Sequence, residues 1–120
     1  MDLVKIAFSM DVDGQRTASF RAEGRMDEGR LAFPDGQSGE YVVDFDQTAV
    51  RIRRTGTTDM DFLFRSLTRT SGVLTTLGTT FHLNIHTTRI QRTKARLEVV
   101  YDLEADGRKI SRHRMLIEWK

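Results

Sequence analysis

The pattern of residues 81–91, FHLNIHTTRIQ, indicates whether this part of the chain is helical or extended. The answer determines which fold class the sequence predicts. Phe81, Leu83 and Ile85 are apolar, and the residues between them are polar. Side chains alternate between the two faces of a strand, whereas a helix needs apolar residues at every third or fourth position. We therefore predict a β-strand with one apolar and one polar face.

Two of the three histidines lie on the polar face of this predicted strand. His82 and His86 are four residues apart, and on a helix they would share one face and suit a single metal ion. On a strand the two imidazoles lie about 13 Å apart, at a rise of roughly 3.3 Å per residue. Because one metal ion cannot bind both at that distance, the sequence predicts two solvated histidines and no metal site.

The same two-residue period recurs along most of the chain, which is typical of strands with one buried face. A helical turn is predicted only within residues 65–71, where the alternation is weakest. The other apolar rows run over residues 4–12, 18–22, 41–45, 50–52, 60–64, 97–103 and 115–119.

Tight turns are predicted at three Asp-Gly pairs, Asp13-Gly14, Asp35-Gly36 and Asp106-Gly107. Asp and Gly tolerate the positive φ that a two-residue hairpin turn needs. About eight to ten strands joined by short turns predict a meandering antiparallel sheet. Closing that sheet into a barrel buries its apolar face and removes its edges, and a two-sheet sandwich is the alternative. We predict an all-β fold, a single antiparallel β-barrel domain over residues 1–120.

Composition is that of an ordinary globular domain, with 120 residues, 38% hydrophobic and 30% charged. The sequence has no cysteine, which excludes disulfides, a thiol nucleophile and a zinc-thiolate site. No stretch has the length and apolar character of a signal peptide or a bilayer-spanning segment. We therefore expect a cytoplasmic protein with no membrane contact.

Charge is distributed unevenly between the two halves of the chain. Residues 1–60 contain 8 basic and 11 acidic side chains, and residues 61–120 contain 11 and 6, which together give the net charge of +2. A basic half could bind phosphates or nucleic acid. The alternative, which we favour, is that basic strands pair with acidic ones across the sheet.

Four polar side chains fall on apolar rows, where a strand would point them into the barrel. They are Arg54, Tyr41, Tyr101 and His113. A buried guanidinium requires an acidic or carbonyl partner, or an anionic ligand. Together the four could be the polar groups of an otherwise apolar ligand pocket. The alternative is a packed core with polar tips at the mouths of the barrel.

Catalytic and cofactor motifs are absent from the sequence. There is no Gly-rich phosphate loop, no Gly-x-Ser-x-Gly elbow and no His-Glu-x-x-His pair. We therefore expect a protein that is not an enzyme and that uses no cofactor.

From about Val50 to its C-terminus the chain resembles the YwiB-like family of small bacterial proteins of unknown function. The matching pieces are RIRRTG, MDF, LTTLGTTFHLNIHTT and LEVVYDLEADG. The resemblance implies a calycin-like or lipocalin-like β-barrel and brings no established activity. The family pattern has an arginine and a glycine where Arg54 and Gly56 stand here. Gly56 would allow a tight turn. Arg54 would either hold one end of the barrel together or face an anionic group. The family's Thr-Pro-Tyr-Gly-like turn is replaced here by TTLG at residues 75–78.

Three functions remain open from the sequence. The first is binding of a small, partly apolar or anionic ligand in the barrel, which predicts a cavity. The second is docking of a protein or RNA partner through Arg-rich outer strands, which predicts a filled barrel and salt-sensitive association. The third is catalysis at the barrel mouth by His113 with a tyrosine. The basic residues of the second hypothesis are Arg89, Arg92, Lys94 and Arg96.

Overall fold

The computed structural model describes residues 2–120, which form ten antiparallel strands closed into one barrel, with no helix among them. This confirms the predicted fold class. The strands are β1 (Asp2–Val12), β2 (Gln15–Asp27), β3 (Arg30–Pro34), β4 (Glu40–Phe45), β5 (Ala49–Thr55), β6 (Thr58–Arg65), β7 (Thr68–Thr76), β8 (Thr79–Arg92), β9 (Arg96–Ala105) and β10 (Arg108–Trp119).

Each strand pairs with its neighbours in the sequence, and β1 pairs with β10 to close the ring. Phe8 lies opposite Ile117 in this closing ladder. Beyond its end, Lys5 and Lys120 exchange backbone hydrogen bonds of 2.9 and 3.1 Å. The meander predicted from the short turns is therefore the observed topology.

The turns confirm two of the three Asp-Gly predictions. Asp13-Gly14 and Asp106-Gly107 are two-residue connections in which all four residues have positive φ, between 51° and 84°. The prediction of a tight turn at Asp35-Gly36 is wrong, because this pair begins a five-residue connection over residues 35–39. The reason is that the Asp35 carboxylate bonds the loop backbone and a distant arginine, as described below.

The helical turn predicted within residues 65–71 is also wrong. β6 runs to Arg65 and β7 begins at Thr68, so two residues connect the strands. Leu67 adopts a φ of 57°, and its N–H donates a 2.8 Å hydrogen bond to the carbonyl of Thr87. This contact with a strand distant in sequence fixes a turn that local pattern does not indicate. The described part of the chain contains no helix long and apolar enough to span a membrane.

The interior is most tightly packed in the middle of the barrel, and apolar side chains that point inward are only partly buried at both ends. The connections after β1, β3, β5, β7 and β9 lie at one end, here called the Asp-Gly end, and the remaining connections lie at the opposite end. Inward side chains in the middle of the barrel fill the interior, whereas Val4, Met26, Phe45 and Ile90 at the opposite end are only partly buried. The aliphatic residues and the phenylalanine that are at most 2% exposed there are Ile6, Leu31, Val43, Ile52, Phe64, Ile85, Leu97, Val99, Met115 and Ile117.

Gly72 on β7 leaves the space that a large core side chain occupies. A Cβ at this position would lie 2.6 Å from Cδ1 of Phe62 and 2.8 Å from Cδ1 of Ile85. Phe62 is opposite Gly72 in the β6–β7 ladder, so its ring packs across the glycine backbone. The absence of a side chain at Gly72 is therefore a packing requirement of the core.

We expect Gly72→Ala to lower the free energy of unfolding by about 2 kcal/mol, because the new methyl group overpacks the core. Urea denaturation monitored by circular dichroism measures the change. Ser71→Ala is the matched control, since Ser71 is the exposed neighbour on the same strand, and it should leave stability nearly unchanged. Equal stability of the Gly72 variant and wild type would contradict the packing described here.

Candidate functional site

Several inward apolar side chains near the Asp-Gly end are only partly buried, although Phe33 and Tyr41 close to them are buried. The backbone register aligns Tyr41, Arg54, Met60, Leu74 and Phe81 as one cross-strand row on the inner face. Phe81, at the projecting end of this row, is 46% exposed. The apolar inward residues that form this opening, here called the mouth, are Met10, Ala18, Phe20, Met60, Leu74, Leu83 and Leu103.

All four polar residues singled out in the sequence point inward in the half of the barrel nearer the mouth, as two pairs, although Tyr41 and Tyr101 are buried beneath the opening. Tyr41 is opposite Arg54 in the register, and the guanidinium carbon lies 5.4 Å from the centre of the tyrosine ring. Tyr101 is opposite His113, and their rings stack 4.9 Å apart at an angle of 8°. Alternation along four different strands thus brings the four side chains to one end of the barrel.

Arg54 has the acidic partner that its partial burial requires. Its Nη2 and Nε donate to Oδ2 of Asp35 at 2.8 and 3.2 Å. The side chain of Asp35 is 3% exposed and that of Arg54 is 24% exposed, so the pair is largely shielded from water. The pair ties the 35–39 connection to the end of the barrel.

The same carboxylate also organises the backbone of this connection. Oδ1 of Asp35 accepts hydrogen bonds from the N–H groups of Gln37 and Gly39 at 2.8 and 3.0 Å. A Cβ at Gly39 would overlap the carbonyl oxygen of Thr55 and would lie 2.6 Å from Oδ2 of Asp35. Gly56, with a φ of 150°, approaches Gly39 so closely that a Cβ there would be 3.0 Å from the Gly39 Cα. Two glycines therefore let the loop close onto the arginine.

These hydrogen bonds set the ionisation of Asp35. Burial by itself raises the pKa of the carboxyl, but the N–H of Gln37, the Arg54 guanidinium and the N–H of Gly39 outweigh burial. The pKa of Asp35 is consequently below its ordinary value. The carboxylate stays charged well into the acidic range.

The two tyrosines keep their protons at neutral pH. Burial raises the pKa of Tyr41, whose ring packs 5.2 Å from Phe8 and 5.3 Å from Phe33. Burial also raises the pKa of Tyr101, and the nearby Tyr41 adds to the rise. Both hydroxyls are therefore neutral hydrogen-bonding groups in a mostly apolar surrounding.

His113 pairs with a serine that the sequence pattern did not single out. Its Nε2 lies 2.7 Å from Oγ of Ser111, two residues earlier on the same inner face of β10. Burial lowers the pKa of His113, and the opposing effects of Asp13 and Asp102 are smaller. The neutral imidazole is therefore favoured, and it can donate one hydrogen bond and accept another.

The other two histidines lie apart from this site. His82 is exposed, and His86 is half-buried on the outer face between Arg69 and Asp102 in the register. Within residues 2–120, no group of three or more histidine, aspartate or glutamate side chains is arranged to hold a metal ion. The alternating pattern predicted this outward placement correctly.

The basic outer strands are largely paired with carboxylates, as we favoured from the charge distribution. Arg89 and Arg114 approach Glu98 at 3.2 and 2.7 Å, and Glu98 is only 4% exposed beneath them. Arg112 donates to Asp102 at 2.9 Å. These pairs neutralise much of the positive charge on the outer face of β8–β10.

The remaining basic residues of the docking hypothesis have different surroundings. The guanidinium of Arg92 lies 4.4 Å above the ring of Phe45. Arg96 is half-buried and lies opposite Glu118 in the register, and Lys94 is exposed. The four basic residues therefore do not form a uniform cationic surface.

Sequence reasoning missed Asp35 and Ser111 as members of this site. Asp35 was seen only as part of a turn, because its arginine partner is 19 residues away. Ser111 follows the same alternation as His113, and that period could have indicated an inward hydroxyl. The register that brings both to the mouth depends on pairing between strands.

We expect Asp35→Asn to lower the free energy of unfolding at neutral pH by about 2 kcal/mol, because it removes a charged hydrogen-bond acceptor from Arg54. The folded pKa of Asp35 is lowered, so the difference is complete above the unfolded value of about 3.8 and disappears as pH falls through the folded value. Urea denaturation as a function of pH measures it.

The matched control is Asp106→Asn, in an exposed two-residue turn that asparagine also tolerates. This control should show little loss of stability at any pH. A pH-independent difference between Asp35→Asn and wild type would contradict the ion pair as its cause.

Three comparisons relate the chain to known proteins. The family model described as "Domain of unknown function (DUF1934)" matches residues 4–117. No curated protein matches the sequence. The crystal structure of the ywiB protein from Bacillus subtilis is similar with a TM-score of 0.71 and 17% identity, over 98% of this chain and 89% of that chain. The likeness supports the β-barrel fold implied by the YwiB-like resemblance.

Proposed function

We propose that the mouth of this chain, which belongs to the DUF1934 family of domains of unknown function, binds a small molecule. We infer that this molecule is partly apolar. Ligand pockets are mostly apolar concave surfaces with a few polar groups that fix orientation. The mouth combines an apolar lining with a few polar groups at one end of the barrel.

The observation that carries this proposal is the partial burial of seven apolar side chains that point inward. Inward residues of a small barrel normally fill its interior, as they do in the middle of this one. At the mouth the corresponding residues, from Met10 to Leu103, are partly buried and pack against the core below them. A ligand with an apolar part would remove this surface from water and gain free energy by doing so.

The polar groups indicate the rest of the ligand's chemistry. Ser111 and His113 offer a neutral donor and acceptor, and Tyr41 and Tyr101 are protonated hydroxyl-bearing residues nearby. Arg54 uses Nε and Nη2 on Asp35, and its guanidinium also hydrogen bonds with Tyr41. We infer a ligand with an apolar body and one hydrogen-bonding or acidic group.

Docking of a macromolecule through the outer basic strands has less support. Arg89 contacts a buried glutamate, and Arg92 lies on an aromatic ring, so neither guanidinium is fully available to a phosphate. Nucleic-acid binding depends on basic side chains that can neutralise phosphates. The geometry therefore favours the ligand site at the mouth over the outer strands.

We also propose that the mouth binds its ligand without converting it. A serine activated by histidine requires a third group that orients the base. In the part of the chain that the structure describes, the His113 ring hydrogen bonds with Ser111 alone. This supports a role of Ser111 and His113 in holding a ligand.

Native mass spectrometry of freshly purified protein tests the proposal directly. We expect a discrete additional mass that disappears on denaturation. As a second measurement, anilinonaphthalene sulfonate, an apolar and anionic dye, should bind with an increase in fluorescence. Absence of both a co-purified ligand and dye binding would overturn the proposal.

A variant that fills the mouth locates the binding site. Ala18 is a small inward residue of the mouth, and Ala18→Trp should weaken dye binding by about tenfold or more, because the indole occupies the ligand's space. Ala95→Trp, in the exposed connection at the opposite end, is the matched control. Equal dye binding by the two variants and wild type would place the dye elsewhere and contradict the site.

A further inference from the structure

Within residues 2–120, three β-bulges interrupt the ladders of the barrel. Each adds one residue without a partner in the adjacent ladder: Thr17 in β2, Thr88 in β8 and Ile110 in β10. Side chains alternate between the two faces of a strand, so one extra residue moves the following side chains to the other face. The bulges therefore determine which side chains near them point into the barrel.

Two of the bulges lie near the mouth, and each turns a basic residue to the outside of the barrel. Ala18 in β2 and Ser111 in β10 point inward. Unbroken alternation would point Arg16 and Lys109, two residues away, inward as well. The shifted register places both on the outer face, opposite Asp11 and Glu104 respectively. Neither cation therefore lies in the mouth.

The third bulge has the same effect deeper in the barrel, where it turns Arg89 away from the inner face that carries the buried Thr87. On the outer face each of the three cations contacts a carboxylate. The ion pairs are Arg16 with Asp11, Arg89 with Glu98 at 3.2 Å and Lys109 with Asp102 at 3.7 Å. A buried charge is unfavourable unless it is paired, so the bulges place these cations where partners and water are present.

Arg54 does point inward near the mouth, but its charge is compensated. It donates two hydrogen bonds to Oδ2 of Asp35, whose side chain is almost fully buried, and it also hydrogen bonds with Tyr41. An acidic ligand would have to lie beside the Asp35 carboxylate or displace it, and both are unfavourable. Arg108, at the rim, is exposed, so water and salt screen its charge.

Ser111 and His113 offer uncharged hydrogen-bonding groups in the same part of the barrel. Both are half-buried on the inner face of β10. A hydroxyl and a neutral imidazole can each donate and accept, so they suit a ligand group such as a hydroxyl or an amide. The carboxylates of Asp13 and Asp102 act electrostatically on His113. Their negative charge disfavours an anionic group beside it.

We propose that the part of the ligand that enters the mouth is uncharged and that Ser111 and His113 bind its polar group. The ligand is an apolar molecule with a hydroxyl, carbonyl or amide group. An anionic group, such as the sulfonate of the dye named above, stays in water at the rim. This inference rests on the proposed binding at the mouth and narrows the chemistry of the ligand. The three bulges carry it, because they remove from the inner face the cations that an anionic ligand would need.

Displacement of Nile red, an uncharged dye, by 1-decanol and by decanoate tests the inference at neutral pH. The two competitors share an apolar chain and differ in the charge of the head group. We expect Ser111→Ala to weaken 1-decanol binding about fivefold, because one hydrogen bond is lost, and to leave decanoate binding unchanged. Ser19→Ala, on the exposed outer face of β2, is the matched control and should affect neither competitor.

A cation introduced into the mouth should let the carboxylate enter. Leu103 is half-buried and lies opposite Ser111 on the inner face, so Leu103→Lys should strengthen decanoate binding about tenfold. Ser19→Lys adds the same charge on the outer face and should not strengthen it. Circular dichroism checks that each variant is folded.

Two outcomes would overturn the inference while leaving binding at the mouth intact. One is an equal loss of 1-decanol and decanoate binding in Ser111→Ala, which would mean that the carboxylate also enters. The other is unchanged binding of both competitors in that variant, which would place the polar group elsewhere. If Nile red does not bind and neither competitor does, the proposed function itself is overturned.

Discussion

The barrel depends on the junction between β2 and β3, here called the seam. Side-chain packing closes this junction, because few backbone hydrogen bonds do. β2 and β3 share only three residue pairs, so the ladder between them is the shortest contact in the ring. The rings of Phe8, Phe20, Phe33 and Tyr41 pack across this seam at centroid distances between 4.8 and 6.5 Å. At its narrow end Gly24 allows the close approach, because a Cβ there would lie 2.8 Å from the Ala32 carbonyl oxygen. Closure of the sheet is therefore largely a matter of aromatic packing.

This seam also connects the aromatic cluster to the mouth. Phe20 belongs to both, and it lies opposite Phe8 in the β1–β2 register. Tyr41 joins the same cluster to Arg54 and hence to the loop held by Asp35. Packing at the seam therefore supports both the mouth and the loop held by Asp35.

The sequence predicts the strands and their faces well, because alternation is a local property that every strand displays. It predicts that Arg54 and His113 point inward for the same reason. It does not predict Asp35 as the partner of Arg54, since that contact joins residues far apart in the chain. It also does not predict the bulges in the β1–β2 and β8–β9 ladders, or the end of the β2–β3 ladder at Arg25, which depend on how strands curve around the barrel.

The order of the strands has a consequence for how the barrel is assembled. Within residues 2–120, every ladder but one joins strands that are consecutive in the chain, and the exception is β1 with β10. Consecutive hairpins form with short loops and a small loss of chain entropy, whereas pairing β1 with β10 restrains the whole length of the polypeptide. The β1–β10 ladder is therefore the one whose formation costs most in chain entropy. This ladder closes the sheet into a ring through seven residue pairs, in which Ile6 to Val12 lie opposite His113 to Trp119.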